Sequence, residues 1–185
     1  MKDARGREIK YLRVSVTDRC NLRCKYCMPN GIECVEHKDI LSFEEIRQIA
    51  VCGARLGITK IRLTGGEPLA RKGCPELIRM LKEIPGIEKI AMTTNGTLVR
   101  AILPELVEAG LDEINISLDT LDAGMFAAIT GQDLLPEVLL AIDAALAAGL
   151  KVKVNAVSMP DTDWKRLITL AKDKPVDVRF IELMP

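Results

Sequence analysis

The sequence predicts an α/β protein in which six parallel strands, covered by outer helices, form a partial barrel. Two observations carry this prediction. Six short β-like runs alternate with helical patterns along the 185 residues, which is typical of a parallel sheet with right-handed crossovers. Polar residues alternate with apolar ones in five of these runs, whereas parallel strands buried on both faces are nearly all apolar. An open doubly wound sheet fits the first observation, but the second favours a TIM-like (β/α)6 arrangement around a polar lumen.

The strands are predicted from short runs that are bounded by turn residues. Fraying of polar residues at strand ends would account for one or two of the alternating runs, but not for five. The predicted strands are Tyr11–Val16, Lys60–Thr64, Lys89–Thr93, Glu113–Leu118, Lys151–Val157 and Val176–Ile181. The polar positions that alternate are Arg13, Ser15, Arg62, Thr64, Asn115, Ser117, Lys151, Lys153, Asn155, Asp177 and Arg179.

The helices are predicted from apolar residues at helical spacing. In the first, Ser42 and Glu45 form a capping box and Gly57 follows the end. In the helix predicted at Leu98–Ala109, Pro104 either delays the start or introduces a kink. The predicted helices are Ser42–Leu56 with Ile46, Ile49, Ala50, Gly53 and Leu56 on one face, Pro75–Ile84, Leu98–Ala109, Leu135–Ala148, and Thr162–Lys172 with Trp164, Leu167 and Ile168 inward, together with a short turn around Ala123–Ile129.

Charge and composition exclude several classes of partner. Lys plus Arg equals Asp plus Glu at 26 each, so no global charge predicts binding to nucleic acid or a membrane surface. The most apolar stretch, Leu134–Leu150, is interrupted by Glu137 and Asp143, and the charged amino terminus is unlike a secretory signal. We therefore expect one soluble, cytoplasmic domain. The candidate lumen residues Arg13, Arg62, Lys153 and Arg179 are basic, which predicts an anionic ligand such as a phosphate.

Three cysteines lie within eight residues, Cys20, Cys24 and Cys27. Thiolates suit iron–sulfur clusters, zinc and copper(I). Three of them cannot close a four-iron cluster, because each iron takes its own protein ligand. One iron then stays open for a small molecule, and an open coordination position is typical of a reactive metal site.

Two other uses of the cysteines compete with a cluster. Disulfides are rare in reducing compartments, so a framework from six cysteines is disfavoured. Zinc is the stronger rival, because Cys24, Cys27, Cys34 and His37 have the spacing of a small zinc knuckle, although that leaves Cys20 unused. We expect the remaining cysteines, Cys52 and Cys74, to be apolar fillers of helical segments.

A glycine-rich segment, Thr64 to Pro68, follows the second predicted strand. The pair Gly65 and Gly66 has no Cβ, so a backbone there can approach a ligand closely. The carboxylate of Glu67 is available to a cationic group. An ordinary strand-to-loop turn is the alternative for this segment by itself.

The cysteine spacing, followed by the glycine-rich segment, resembles the radical S-adenosylmethionine superfamily. The resemblance implies that Cys20, Cys24 and Cys27 hold a [4Fe–4S] cluster whose open iron chelates S-adenosylmethionine. Within the superfamily, the GTP 3′,8-cyclases of molybdenum cofactor biosynthesis are similar over nearly the whole chain. The similar segments are 12–21, 24–29, 61–68, 92–96, 116–119, 153–155 and 179–185.

This narrower resemblance assigns site residues by position. It implies that Tyr26, Gly66, Ser117 and Met184 contact S-adenosylmethionine, Tyr26 through its backbone. It also implies that Arg13, Arg62, Thr93 and Lys153 bind GTP. No conventional acid–base pair stands out, so no catalytic side chain is assigned beyond the cluster.

The resemblance also implies a reaction. A 5′-deoxyadenosyl radical takes the hydrogen from ribose C3′ of GTP, and the nucleotide radical closes onto C8 of guanine, a lyase reaction yielding (8S)-3′,8-cyclo-7,8-dihydroguanosine 5′-triphosphate. An electron donor such as a flavodoxin-type protein is implied, and a homodimer is left open. The family's carboxyl-terminal region with a second three-cysteine cluster is expected to be absent from residues 1–185. The rivals are a radical enzyme acting on a peptide or partner protein, and a zinc-stabilised binding module.

Overall fold

The computed structural model describes residues 2–27, 35–160 and 162–183. Strands and helices alternate as predicted. The strands are β1 (Tyr11–Ser15), β2 (Lys60–Thr64), β3 (Lys89–Thr94), β4 (Glu113–Ser117), β5 (Lys151–Ser158) and β6 (Asp177–Glu182). The helices are α1 (Phe43–Arg55), α2 (Cys74–Lys82), α3 (Val99–Glu108), α4 (Ala123–Thr130), α5 (Leu135–Ala147) and α6 (Trp164–Asp173).

All six strands are parallel and follow one another in the sheet in the order β1-β2-β3-β4-β5-β6. The register pairs Arg13 with Arg62 across β1 and β2, and Asn115 with Lys153 across β4 and β5. A doubly wound sheet would reverse its strand order at a switch point. The order here never reverses, so the doubly wound alternative is wrong and the sheet is that of a partial barrel with β1 and β6 at its edges.

The two faces of the sheet differ in character, because successive side chains on a strand point to opposite faces. The face beneath the helices is apolar and forms one core, with Ile61, Leu63, Met92 and Ile114 inaccessible to solvent. The opposite face carries the alternating polar residues and borders open cavities. The predicted polar lumen is confirmed. Because the helices cover only one face of the sheet, the other face is free for ligands.

The amino terminus of α1 shows why the helix begins where the sequence predicts. The hydroxyl of Ser42 accepts a hydrogen bond from the backbone N–H of Glu45 at 3.1 Å, and the Glu45 carboxylate accepts one from the Ser42 N–H at 2.7 Å. This reciprocal pair satisfies two N–H groups that have no partner inside the helix. The predicted capping box is confirmed.

Several helix predictions differ from the structure. The turn predicted at Ala123–Ile129 is helix α4, whose first turn is capped by the Asp122 carboxylate bonded to the Met125 N–H at 2.7 Å. Helix α3 begins at Val99, so Pro104 lies inside it and does not delay its start. Trp164 is the first residue of α6 and is 52% exposed, and its ring centroid lies 5.4 Å from the Lys165 ammonium. Trp164 and Ile168 were wrongly predicted to face inward, and Ile49 and Leu56 of the apolar face predicted for the first helix are exposed as well.

No single helix within the described ranges is long and apolar enough to cross a membrane. Helices α4 and α5, which are bent by 100° at the break between them, meet the length and composition criteria only as a pair. Within α5, Val138, Ala141 and Ile142 are buried in the core.

Candidate functional site

The cysteine-bearing loop leaves the carboxyl end of β1 and docks on the glycine-rich segment after β2. The backbone N–H of Gly66 donates to the Thr17 carbonyl at 2.8 Å, and the N–H of Glu67 donates to the Arg19 carbonyl at 2.7 Å. These bonds extend the β1–β2 pairing beyond the strands, because the Val16 N–H already donates to the Thr64 carbonyl. The first cysteine, Cys20, is therefore placed by main-chain hydrogen bonds.

The two glycines are required by this docking. A Cβ on Gly65 would lie 2.4 Å from the Thr17 carbonyl oxygen, and one on Gly66 would lie 2.3 Å from that of Arg19. Both distances are far inside van der Waals contact, and the atoms met are backbone atoms that cannot rotate away. Because neither glycine has a side chain, the cysteine loop can pack against this segment. The sequence interpretation did not foresee this structural reason for the glycine pair.

Glu67 has a different role from the one that the sequence suggested. Its side chain is completely buried, with a relative exposure of 0%. Its oxygens accept hydrogen bonds from the N–H groups of Leu69 and Asn95, at 3.0 and 2.7 Å, and from the Thr94 hydroxyl at 2.8 Å. Burial raises the pKa of the carboxyl group. The buried Glu67 carboxylate stabilises the glycine-rich segment through these hydrogen bonds, so the expectation that it meets a cationic group is wrong.

The other end of the loop is held by elements from the far side of the barrel. The N–H groups of Arg23 and Lys25 donate to the carbonyls of Thr130 and Ile129 at the end of α4, at 2.9 and 3.0 Å. The Tyr26 hydroxyl donates to Asp119 Oδ2 at 2.7 Å. Cys24 and Cys27, on either side of Tyr26, are therefore anchored to α4 and to the residues after β4.

Asp119 connects this loop to β5. Its second oxygen, Oδ1, accepts the Val157 N–H at 2.7 Å, so both carboxylate oxygens have partners. Burial raises the pKa of Asp119, and burial followed by the charge of Asp119 raises that of the Tyr26 phenol. The hydrogen bond is therefore one between a neutral phenol and a largely enclosed carboxyl group.

The three loop cysteines are free thiols on one side of the site. Burial, followed by charge on Asp119, Cys20 and Cys27, raises the pKa of Cys24 to about 11, so the thiols are near neighbours. Cys20 Sγ is approached by the Leu22 N–H at 3.4 Å and by Asn95 Nδ2 at 3.8 Å. Two donors aimed at one sulfur suit a thiolate ligand.

The arrangement of the three thiols is compatible with a cluster. Within residues 2–27, 35–160 and 162–183, no three Cys, His, Asp or Glu side chains converge to hold one metal ion. Ligands of a four-iron cluster do not share one metal, since each binds a different iron. The three thiols are neighbours on a docked loop and do not point at one metal ion, which is compatible with a [4Fe–4S] cluster.

Some predicted residues lie outside the described part of the chain. These are Met184, assigned to S-adenosylmethionine, and Cys34 of the zinc alternative, and the side chain of His37 is likewise not described. Cys74 is buried, and burial raises its pKa to about 12, as expected of an apolar filler. Cys52 is exposed on α1, so the same expectation for it is wrong.

A cavity of about 180 Å³ lies directly beside the cysteine loop. Tyr26 and Ser117, predicted for the cofactor, border it together with Arg13 and Thr93, predicted for the substrate. Gly66 lies in the adjoining segment that docks the loop. We call the cysteine loop of residues 17–27, Gly65, Gly66 and Asp119 the cysteine end of the lumen.

A second cavity, of about 490 Å³, lies further from the cysteines along the same face. Arg62 is almost fully buried there, and its guanidinium donates to the Thr93 hydroxyl at 3.2 Å. Arg13 borders both cavities. We call the basic residues that line it the anion end of the lumen: Arg13, Lys60, Arg62, Lys153 and Arg179.

One acidic residue, Glu113, balances part of this charge. It is 4% exposed, and its Oε2 lies 2.6 Å from the Lys60 ammonium and 3.4 Å from that of Lys153. Burial alone would raise the pKa of Glu113, but Lys60 and then Lys153 outweigh it and lower the pKa to about 2. The carboxylate stays charged and holds the two ammonium groups within reach of one oxygen atom.

The sequence interpretation missed Lys60, Glu113 and Asp119 as contributors to the site. The signal for Glu113 and Asp119 was present, since they continue the alternation of Asn115 and Ser117 along β4 at each end. Their partners could not be read from the pattern, because the partners belong to other strands and to the cysteine loop.

The comparisons with known proteins agree with this geometry. Residues 14–173 match the model of the family described as "Radical SAM superfamily". The chain is similar to proteins named GTP 3′,8-cyclase, with 48% identity in Alkaliphilus oremlandii and 50% in Thermodesulfovibrio yellowstonii. Each alignment covers 100% of this chain and 59% of the relative, so the chain spans about three fifths of the length of these relatives.

Solved structures share the fold at low sequence identity. The structure of SuiB from Streptococcus suis bound to S-adenosylmethionine has a TM-score of 0.81 and 19% identity, covering 95% of this chain and 41% of that one. Methylornithine synthase (PylB) has a TM-score of 0.77 and 20% identity, covering 95% and 53%. At such identities the likeness concerns the fold alone.

Proposed function

Because the chain belongs to the radical SAM superfamily, we propose that it is the barrel portion of a GTP 3′,8-cyclase of molybdenum cofactor biosynthesis. One observation carries the proposal. A single cavity of about 180 Å³ is bordered by Tyr26 from the cysteine end, by Ser117 on β4, and by Arg13 and Thr93. The basic anion end adjoins it, so a cofactor and a phosphorylated substrate could meet there. Identity of 48–50% to proteins named GTP 3′,8-cyclase supports the choice of substrate.

In this proposal Cys20, Cys24 and Cys27 bind three irons of a [4Fe–4S] cluster. When bound, the cluster and S-adenosylmethionine would supply the radical chemistry, a 5′-deoxyadenosyl radical able to take the C3′ hydrogen of GTP. The protein contributes placement and exclusion of water. The residues assigned to contact S-adenosylmethionine are Tyr26, Gly66, Ser117 and Met184.

The anion end binds the nucleotide through charge-assisted hydrogen bonds to phosphate oxygens. Arg62 is pre-oriented for this task, because its bond to the Thr93 hydroxyl holds the guanidinium in the lumen. Lys153 is held beside Lys60 by Glu113. The residues assigned to GTP are Arg13, Arg62, Thr93 and Lys153.

The proposal also extends to an electron donor, an assembly and a cellular location. The reaction consumes two electrons in each turnover, one to cleave the cofactor and one, with a proton, to reduce the cyclised nucleotide radical to the dihydro product, and an electron donor such as a flavodoxin-type protein would supply both. We place the protein in the cytoplasm and take a homodimer as the assembly to test. Sedimentation of the anaerobic protein measures the second point directly.

The proposal is tested by isotope transfer. The chain is reconstituted anaerobically with iron and sulfide, reduced, and supplied with S-adenosylmethionine and GTP that carries deuterium at C3′. We expect deuterium in the 5′-deoxyadenosine, because the radical takes that hydrogen. GTP deuterated at C2′ is the control and should transfer none.

The variant Arg62→Glu separates the two ends of the lumen. It places a carboxylate where phosphate is expected, so GTP binding and deuterium transfer should both be lost, while the cluster absorbance stays. Unlabelled 5′-deoxyadenosine formed by the parent chain with labelled GTP bound would contradict the proposal. A colourless protein that holds zinc would favour the binding module.

A further inference from the structure

Asn115 lies between the cysteine end and the anion end of the lumen. It is the third residue of β4, and it is paired in register with Thr93 on β3 and Lys153 on β5. Its side chain borders both the cavity of about 180 Å³ and the one of about 490 Å³. The chain's family resemblance assigns this residue no role.

The side-chain oxygen of Asn115 has no partner. The residue is 5% exposed, and its Oδ1 is buried without a hydrogen bond among the described residues. The other such oxygen in that part of the chain, Asp18 Oδ1, does not border either cavity. A buried acceptor left unpaired destabilises the fold, and such atoms in native proteins call for an explanation.

We propose that Asn115 is a specificity-determining residue whose amide oxygen, once the amide rotates toward the adjoining cavities, accepts a hydrogen bond from a ribose hydroxyl of the bound nucleotide. The inference rests on the proposed function, because that function puts phosphates at the anion end and the cofactor at the cysteine end. The sugar then lies between them, next to Asn115. A ribose hydroxyl is the donor that this part of a nucleotide offers, and a lone carbonyl oxygen is an acceptor.

The inference predicts opposite effects on stability and on recognition. The variant Asn115→Leu removes the unpaired oxygen and keeps the branching and the number of non-hydrogen side-chain atoms, so the melting temperature of the nucleotide-free protein should rise. The same variant cannot accept from a ribose hydroxyl, so its preference for ribonucleotides should disappear. A purely structural role for the amide predicts a lower melting temperature and no change in preference.

The test compares four ligands by anaerobic calorimetry on the reconstituted chain: GTP, 2′-deoxy-GTP, 3′-deoxy-GTP and inorganic tripolyphosphate. The parent chain should bind GTP about tenfold more tightly than at least one deoxynucleotide, since a missing hydroxyl leaves the buried acceptor unpaired. In Asn115→Leu this ratio should fall to about one, as for a site without the acceptor. The affinity for tripolyphosphate should be unchanged.

Asn155→Leu is the matched control. Asn155 borders the same two cavities from β5, but its side chain is not among the buried atoms without a partner. Its variant should keep the ribose preference. If the parent chain binds tripolyphosphate but treats GTP and both deoxynucleotides alike, the inference is wrong while the anion end stands. If neither tripolyphosphate nor GTP binds, the proposed function fails and the inference fails with it.

Discussion

The two ends of the lumen are built by different means. At the cysteine end, a loop is docked by main-chain hydrogen bonds, such as those of Gly66 and Glu67 to the loop carbonyls. At the anion end, long charged side chains stand on strands and meet one carboxylate, Glu113. The first end is placed by close packing of backbone, and the second by charges on a rigid sheet.

This difference predicts how each end responds to change. Backbone docking depends on sterics and on neutral hydrogen bonds, so a single added carbon should disturb the cysteine end at any pH. Ion pairs among buried or half-buried groups depend on protonation, so the anion end should respond to acid and to charge. The variants below perturb one end at a time.

The largest effect is expected from the loop cysteines. Changing Cys20, Cys24 or Cys27 to Ala should abolish cluster assembly, because two thiolates hold a four-iron cluster poorly. Binding of tripolyphosphate at the anion end should persist, and iron content with visible absorbance measures the loss. Cys52→Ala, exposed on α1, is the control. Loss of metal in Cys34→Ala but not in Cys20→Ala would instead support the zinc knuckle.

The next largest effect concerns the docking glycine. Gly66→Ala places a Cβ against the Arg19 carbonyl, so the loop must move, at a cost of about 3 kcal/mol, the upper end for overpacking. Gly149→Ala is the control, because a Cβ there meets no atom within 4 Å and only its φ of +79° is unfavourable. It should cost about 1 kcal/mol. Equal costs in thermal unfolding would show that the docking distance is unimportant.

A smaller effect is expected from Glu113→Gln, which leaves Lys60 and Lys153 without their counter-charge. We expect a loss of roughly 1.5–3 kcal/mol near neutral pH, the range for hydrogen bonds to charged groups. The folded-state pKa of Glu113 is lowered to about 2, so its stabilisation is complete above the ordinary carboxyl pKa and is lost as pH falls towards 2. The parent and variant unfolding curves should therefore converge in acid. A pH-independent difference would contradict this account.

The smallest effect is expected from Tyr26→Phe, which removes one hydroxyl and its bond to Asp119. The far end of the cysteine loop should loosen locally, with faster hydrogen exchange at the amides of Lys25 and Cys27 in metal-free protein. The amides of Gly66 and Glu67 belong to the other attachment and serve as internal controls. Acceleration at all four amides would indicate general destabilisation and would remove the distinction between the two attachments.

The sequence by itself determined the positions of the six strands and of the five longer helices, and the polar, basic character of the lumen. A period of two places alternate residues on one face of a strand, so the pattern alone assigns Arg13, Arg62 and Lys153 to one surface. The cysteine motif likewise lies within one short stretch of the sequence. These features are local, and local pattern is what a single sequence records.

Only the tertiary structure decided which side chains meet. The bond from Tyr26 to Asp119 joins residues 93 apart, and Glu113 meets Lys60 from two strands away. The alternation pattern predicts which face of a strand a residue lies on but not which residue it contacts. The buried, hydrogen-bonded state of the Glu67 carboxylate could therefore not be predicted. The unpaired oxygen of Asn115 is likewise visible only when every neighbouring donor is located. Hydrogen bonding and burial depend on distances across the sheet, which a one-dimensional pattern does not contain.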